Sequence, residues 1–258
     1  MVIRTMTDNS AQRASPSYRL PTLDQEFLLS EELRGVRFLL EYSKAEIALK
    51  AHQIKSTIVV FGSARIREDG PGRNAFWYQE ARTFGRLASE RGGALGGAPR
   101  TNVIATGGGP GAMEAANRGA REAGAPTIGF NITLPHEQEP NAYSTPDLTF
   151  AFHYFAMRKM HLAMRAGALV IFPGGFGTLD ELFEILTLTQ TKKAPIIPVV
   201  LFDEDYWRSV INFDALIEHG MIEAEDLALF KFAESAEAAW DALLQQGLAI
   251  ASIAPKNV

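Results

Sequence analysis

The stretch "IFPGGFGTLDELFEIL", residues 171–186, decides how this chain is read. Apolar Ile171 and Phe172 run into a turn holding Gly174, Gly175 and Gly177, and apolar residues then recur at helical spacing. The pattern predicts a strand, a turn and a helix. Glycine permits positive φ and close approach of a ligand to the main chain, while a helix N-terminus presents unpaired N–H groups and a partial positive charge. Such a turn suits a phosphate group. Thr178 adds a hydroxyl donor, and Asp180 and Glu181 begin the helix. A plain turn capped by threonine, with acids complementing the helix dipole, reads the same residues without a ligand. One cap, however, does not require three glycines.

The same unit recurs along the chain. "STIVVFGSAR" (56–65) ends a β-rich run at Gly62 and Ser63, and a helix is expected from Asn74 to Arg91. "NVIATGGGPGAMEAANRGAREAG" (102–124) is again strand, glycine turn and helix. "PTIGFNI" (126–132) is a short strand, "LTFAFHYF" (148–155) leads into a helix over about Ala156 to Ala166, and "PIIPVVLF" (195–202) is a further strand. Strands alternating with helices predict a three-layer, Rossmann-like α/β fold with a mostly parallel sheet, because parallel neighbours need crossover connections. Ligands of such sheets gather beyond the carboxyl ends of the strands. Gly62 and Ser63, Gly108 and Gly109, and Gly174 to Thr178 are therefore expected to line one substrate cleft.

Gly107, Gly109 and Ala112 satisfy the loose G-x-G-x-x-[GA] dinucleotide pattern. The acidic residue that should hold a ribose at the end of the next strand is missing, and Asn131 stands there instead. No G-K-[ST] follows either turn, so a P-loop is excluded as well. A smaller phosphate ester, with no cofactor, fits better. Arg158 and Lys159 stand together on an otherwise apolar predicted helix, and a half-buried cationic pair needs counter-charge. Either Lys159 is solvated and Arg158 pairs with a structural carboxylate, or the pair serves a bound phosphate.

Composition narrows the class. A length of 258 residues suits one large α/β domain, expected over 23–258. Residues 1–22 are polar and proline-punctuated and read as a flexible arm, followed over 23–53 by one or two amphipathic helices as an N-terminal extension. A net charge of −5 argues against a nucleic-acid polymer as partner. With no cysteine, disulfides and a thiol nucleophile are excluded. No apolar run reaches the length of a membrane span, and no secretory signal is read, so a cytoplasmic protein is expected. The five histidines lack metal-ligand spacing, and no metal is assigned.

Taken together, these residues resemble the LONELY GUY (LOG) family of phosphoribohydrolases, which also carries the older label of lysine decarboxylase. The signature P-G-G-x-G-T-x-x-E is met by Pro173 to Glu181, and the upstream R-K pair by Arg158 and Lys159. The likeness runs over residues 56–205, through "VVFGSAR", "GGGPGAMEAANRGA" and "LPHEQEPNAY". The resemblance implies hydrolysis of the N-glycosidic bond of a nucleoside 5'-monophosphate, usually by a homodimer. It implies Arg158 and Glu181 as the catalytic pair. Lys159, Gly175, Gly177, Thr178, Asp180 and Thr187 are its implied substrate contacts, with Thr187 two helical turns beyond Glu181. Plant-type members carry M-H-x-R-K where this chain has "YFAMRK", so AMP is as plausible a substrate as a cytokinin nucleotide.

Weaker candidates surround this set. Ser63 either caps the next turn or donates to substrate, and Glu114 complements a helix dipole. Glu137 and Asn141 form either a loop over the cleft or an exposed connection. Glu184, one turn beyond Glu181, is expected to face the same cleft.

Overall fold

In a computed structural model of the chain, residues 8–134 and 139–250 are described, so Glu137 lies outside the described residues. The chain divides into two compact units, 1–43 and 44–258. The first contains the short helices α1 (Ser10–Ala14) and α2 (Gln25–Leu29) and the start of α3 (Arg34–Ala51). Asp24 caps α2, its carboxylate accepting from the N–H of Phe27 at 3.2 Å.

The second unit is built on seven strands: β1 (Thr57–Phe61), β2 (Val103–Thr106), β3 (Ile128–Ile132), β4 (Thr149–Phe152), β5 (Ala166–Ile171), β6 (Val199–Phe202) and β7 (Lys231–Ala233). Between and after them lie α4 (Asn74–Arg91), α5 (Ala112–Glu122), α6 (Phe155–Met164), α7 (Phe176–Gln190), α8 (Glu204–Val210), α9 (Phe213–Glu218) and α10 (Ala236–Gln245). The strand order is β4-β3-β2-β1-β5-β6-β7, and every pairing is parallel. The sequence predicts a mostly parallel sheet; β7, which it does not predict, extends the sheet in the same sense.

Why the strands read as unbroken apolar runs is plain from burial. All five residues of β1 are buried, as both faces of a parallel sheet must be when helices cover them. Alternate residues feed two cores. Val59, Phe61, Leu169, Ile171, Val199 and Leu201 point to the layer with α6 and α7, through Leu162 and Leu182. Ile58, Val60, Ala168, Val170 and Phe202 point to the layer with α4, α5 and α10, through Phe84, Ala116 and Trp240. On that second face α4 and α5 touch backbone to backbone. A Cβ at Gly85 would run into the carbonyl of Ala116, and one at Gly119 into that of Arg82.

The helix expected to reach Ala166 ends at Met164, and Ala166 is already in β5. Sheet pairing decides the boundary: Ala166 lies opposite Thr57, whose N–H donates to the Arg165 carbonyl at 2.8 Å. After β1 the chain builds outward through β2, β3 and β4, then returns to place β5 against the free side of β1. Phe61 pairs with Ile171, so the turns after these two strands leave the sheet at the same level. A crevice opens at such a reversal of direction.

Candidate active site

The crevice between the ends of β1 and β5 is a cleft of about 620 Å³, and its walls include Phe61, Ser63, Arg158, Gly175, Thr178 and Tyr206. Helix α7 starts at its edge. Gly175 is the N-cap, no side chain caps the helix, and its first turn carries no acid, because Asp180 and Glu181 fall beyond it. A threonine cap and dipole-complementing acids are thus not what the glycines serve. Thr178 sits inside the helix, and its N–H and that of Leu179 both reach the Gly175 carbonyl at 3.0 Å. Among the described residues the N–H groups of Gly175, Phe176 and Gly177 find no acceptor, as expected of an uncapped first turn.

None of the three glycines has a positive φ. Their shared feature is a missing side chain. A Cβ on Gly174 would collide with Thr178 and approach the Ser63 N–H at 2.9 Å, whereas one on Gly175 or Gly177 would meet nothing. Gly174 is therefore required by packing, and Gly175 and Gly177 leave bare main chain facing open space. Gly62 also lines the cleft, but packing explains it, since its Cβ would lie 2.6 Å from that of Ala112. Ser63 caps its own turn, accepting from the N–H of Arg65 at 3.1 Å, and still borders the cleft.

Arg158 is 8% exposed. Its Nε donates to the Phe130 carbonyl at 2.8 Å, and its guanidinium lies 5.6 Å from the centre of the Phe61 ring. Burial lowers its pKa, opposed by the charges of Glu181 and Asp180. The second glycine turn serves this arginine: a Cβ at Gly107 would collide with the guanidinium and crowd Met113. Gly108 and Gly109, expected to bind substrate, are buried and do not line the cleft. Their carbonyls accept from Asn141, Gly108 from its N–H at 2.8 Å and Gly109 from its Nδ2 at 3.1 Å. Asn141 is thus neither a cleft loop nor an exposed connection but a buried clamp, bonded also to Asn117 at 3.0 Å. Glu114 accepts from the Tyr78 hydroxyl at 3.0 Å, a further partner beyond the helix dipole.

Glu181 is 5% exposed and is pushed up to about pKa 7 by burial, against the pull of Arg158 and Lys159. It feels the charge of Arg158, although no ion pair within 4.0 Å joins the two among the described residues. It does not line the 620 Å³ cleft; the residue borders a small internal space with Leu162 and Ile185. Lys159 pairs with Asp180 at 2.8 Å and with Glu184 at 3.0 Å. These three line a different cleft, of about 760 Å³, with Phe155 and Met160. Glu184 therefore does not face the cleft of the glycine turn. At about 100° per residue, Glu181 stands roughly 60° from Thr178 and 60° from Glu184, between the two clefts.

Thr187 does not line the glycine cleft. Six residues are not two whole turns, so it lies about 120° around α7 from Glu181. It borders a third cavity with Phe183 and Phe213, and the residue two turns beyond Glu181 is Leu188, which lines the cleft of Lys159. Among the residues not foreseen, Met113 and Tyr206 also line the glycine cleft. Tyr206 donates to the Gly174 carbonyl at 2.9 Å. Its signal was the run "FDEDYW" (202–207), an aspartate N-cap opening a helix after a strand, but helix spacing alone does not tell that its aromatic ring returns to a glycine turn. No group of three or more His, Asp or Glu placed to hold a metal occurs among the described residues.

Residues 113–243, half of the chain's length, match the family model described as possible lysine decarboxylase. The chain belongs to the LOG family. Among the relatives of this LOG chain is the probable cytokinin riboside 5'-monophosphate phosphoribohydrolase LOGL5 of Oryza sativa subsp. japonica, 28% identical over 59% of this chain and 58% of that protein. The cytokinin riboside 5'-monophosphate phosphoribohydrolase of Rhodococcoides fascians is 34% identical over 28% of this chain and 34% of its own. The chain thus spans less than three-fifths of these relatives' length. The crystal structure of the protein TM1055 aligns with 74% of this chain and 99% of its own at a TM-score of 0.52 and 21% identity, a likeness of fold. Among the described residues no helix is long and apolar enough to cross a membrane.

Proposed function

We propose that this protein hydrolyses the N-glycosidic bond of a purine nucleoside 5'-monophosphate, AMP or an N6-substituted AMP, to the free base and ribose 5-phosphate. The observation that carries the reading is the bare first turn of α7, opening into a cleft beside Arg158 and followed one turn later by a buried carboxylate of pKa about 7. The names of the plant and bacterial relatives, cytokinin riboside 5'-monophosphate phosphoribohydrolases, support a reaction of this type.

In this reading the N–H groups of Gly175 to Gly177 and the Thr178 hydroxyl take the 5'-phosphate. Arg158 stays protonated despite burial, so it orients the ester or the ribose rather than acting as a base. Cleavage leaves the C1'–N9 electron pair on the base and positive charge on the sugar. Water then adds its oxygen to C1' and returns a proton to the base. A carboxylate ionised near neutrality stabilises that charge or takes the water's proton, and Glu181 is the group tuned for it. Because the phosphate is remote from the broken bond, its binding energy goes into positioning the ribose.

Purified protein incubated with AMP, other nucleoside monophosphates and adenosine, with free base scored by chromatography, tests this. The expected kcat/KM for AMP exceeds that for adenosine at least about a hundredfold. Equal turnover of the two removes the phosphate cradle from the argument. AMP binding without base release favours instead a nucleotide-binding protein, the reading that the recessed position of Glu181 supports. Amine release from lysine is not expected: although burial opposes the charge of Lys159, its bonds to Asp180 and Glu184 prevail and raise its pKa, the reverse of what a Schiff-base nucleophile needs.

A homodimer formed over the α6–α7 face belongs to the same proposal. Phe155 and Met164 are each about half exposed on that face, and such a pairing would cover them. Sedimentation velocity returning only monomer at micromolar concentration would contradict it. A cytoplasmic location fits the absence of cysteine.

A further inference from the structure

The peptide joining Gly174 to Gly175 is flanked by two residues with no side chain. A glycine pair has the widest choice of φ and ψ, so its own residues do little to hold the plane of that peptide. It is held from outside. The Tyr206 hydroxyl, on α8, donates to the Gly174 carbonyl at 2.9 Å, and the tyrosine itself borders the cleft.

Tyr206 is in turn fixed by Asp203, which is 1% exposed and adopts φ +74°. That left-handed conformation is unfavourable for a residue with a side chain and persists where surrounding contacts over-determine it. Here they do. One carboxylate oxygen accepts from the Tyr206 N–H at 3.0 Å, and the other accepts from the Trp77 indole at 2.7 Å and lies 3.1 Å from Arg73. The Trp77 ring meets the Tyr206 ring edge-on at 5.9 Å.

In a trans peptide the carbonyl and the N–H point in opposite directions. Keeping the Gly174 carbonyl turned to Tyr206 therefore keeps the Gly175 N–H turned away from that ring. Were the peptide to flip, a carbonyl oxygen would replace a donor at the start of α7, where an anion would meet repulsion. We infer that Tyr206 is a positioning residue: its hydroxyl sets the Gly174–Gly175 peptide so that the cradle presents donors to a phosphate ester. This rests on the phosphate reading given above.

The test is titration calorimetry of wild type and Tyr206→Phe with ribose 5-phosphate, which carries the phosphate without the scissile bond. Calorimetry separates stoichiometry from affinity, so a misfolded fraction lowers the first and leaves the second. The expected result is a Kd for ribose 5-phosphate raised about tenfold in Y206F, at unchanged stoichiometry, with KM for AMP raised in parallel and kcat changed less than threefold. A Kd changed less than threefold overturns the role of Tyr206 and leaves the cradle standing. A wild type that does not bind ribose 5-phosphate overturns both.

Discussion

Replacing Glu181 with glutamine is expected to lower kcat for AMP about a thousandfold and, at the same time, to stabilise the folded protein at pH 8. The first effect follows from removing the one acid among the described residues that is tuned to near neutrality, a group whose kind contributes about 10²–10⁴-fold in general base catalysis. The second follows from linkage. Burial lifts the Glu181 carboxyl from an ordinary 4.5 to about 7, so the folded state holds its proton more tightly than the unfolded state. Stability therefore falls as pH rises from about 4.5 to about 7, and above that window the buried charge costs roughly 3 kcal/mol. Glutamine keeps the shape and carries no charge. Its stabilisation should be present at pH 8 and fade toward pH 4.5. Urea unfolding at the two pH values checks it, and equal stability of the two proteins at pH 8 would show that the carboxylate is better solvated than its burial indicates. The same titration sets the activity profile: wild-type kcat/KM should rise through about pH 7 and level above it, because the ionised form does the work.

The second large effect concerns Arg158. Its truncation to alanine is expected to lower kcat/KM for AMP about a hundredfold, roughly 2.7 kcal/mol of lost transition-state binding, with adenosine turnover changed far less. Arg158→Lys should not restore it. Lysine offers a compact charge without the planar fork and cannot reproduce both the Nε bond to Phe130 and the placement of the guanidinium against Gly107 and Phe61. Steady-state kinetics with both substrates read the difference. If lysine recovers most of the activity, positive charge alone suffices and the fork has no role.

Much of the fold was legible because its signals are local. Buried parallel strands read as unbroken apolar runs, and helix α4 runs over Asn74–Arg91 as its periodicity predicts. Strand β7 was not legible. Its three residues, Lys231 to Ala233, are too few to show a period, and only pairing with β6 makes them a strand. The site was legible in part. The glycine turn before α7 announces its open backbone in sequence, whereas the second glycine turn does not announce that Gly107 makes room for the distant Arg158, or that Asn141 occupies the Gly108 and Gly109 carbonyls. Thr187 borders a different cavity for a simpler reason, the mismatch between six residues and a helix of 3.6 per turn.

What the sequence by itself determined is the alternation of strands and helices, the parallel sheet, and an open glycine turn between β5 and α7. Each depends on the chemistry of residues within a few positions of one another. Only the tertiary structure decided that Arg158 reaches the glycine cleft while Lys159 turns to a separate one, that Glu181 is buried between them, and that Tyr206 fastens the turn from a helix beyond β6. Those outcomes depend on which distant segments pack together, and packing also sets the burial that lifts the Glu181 pKa; neither is encoded in local spacing.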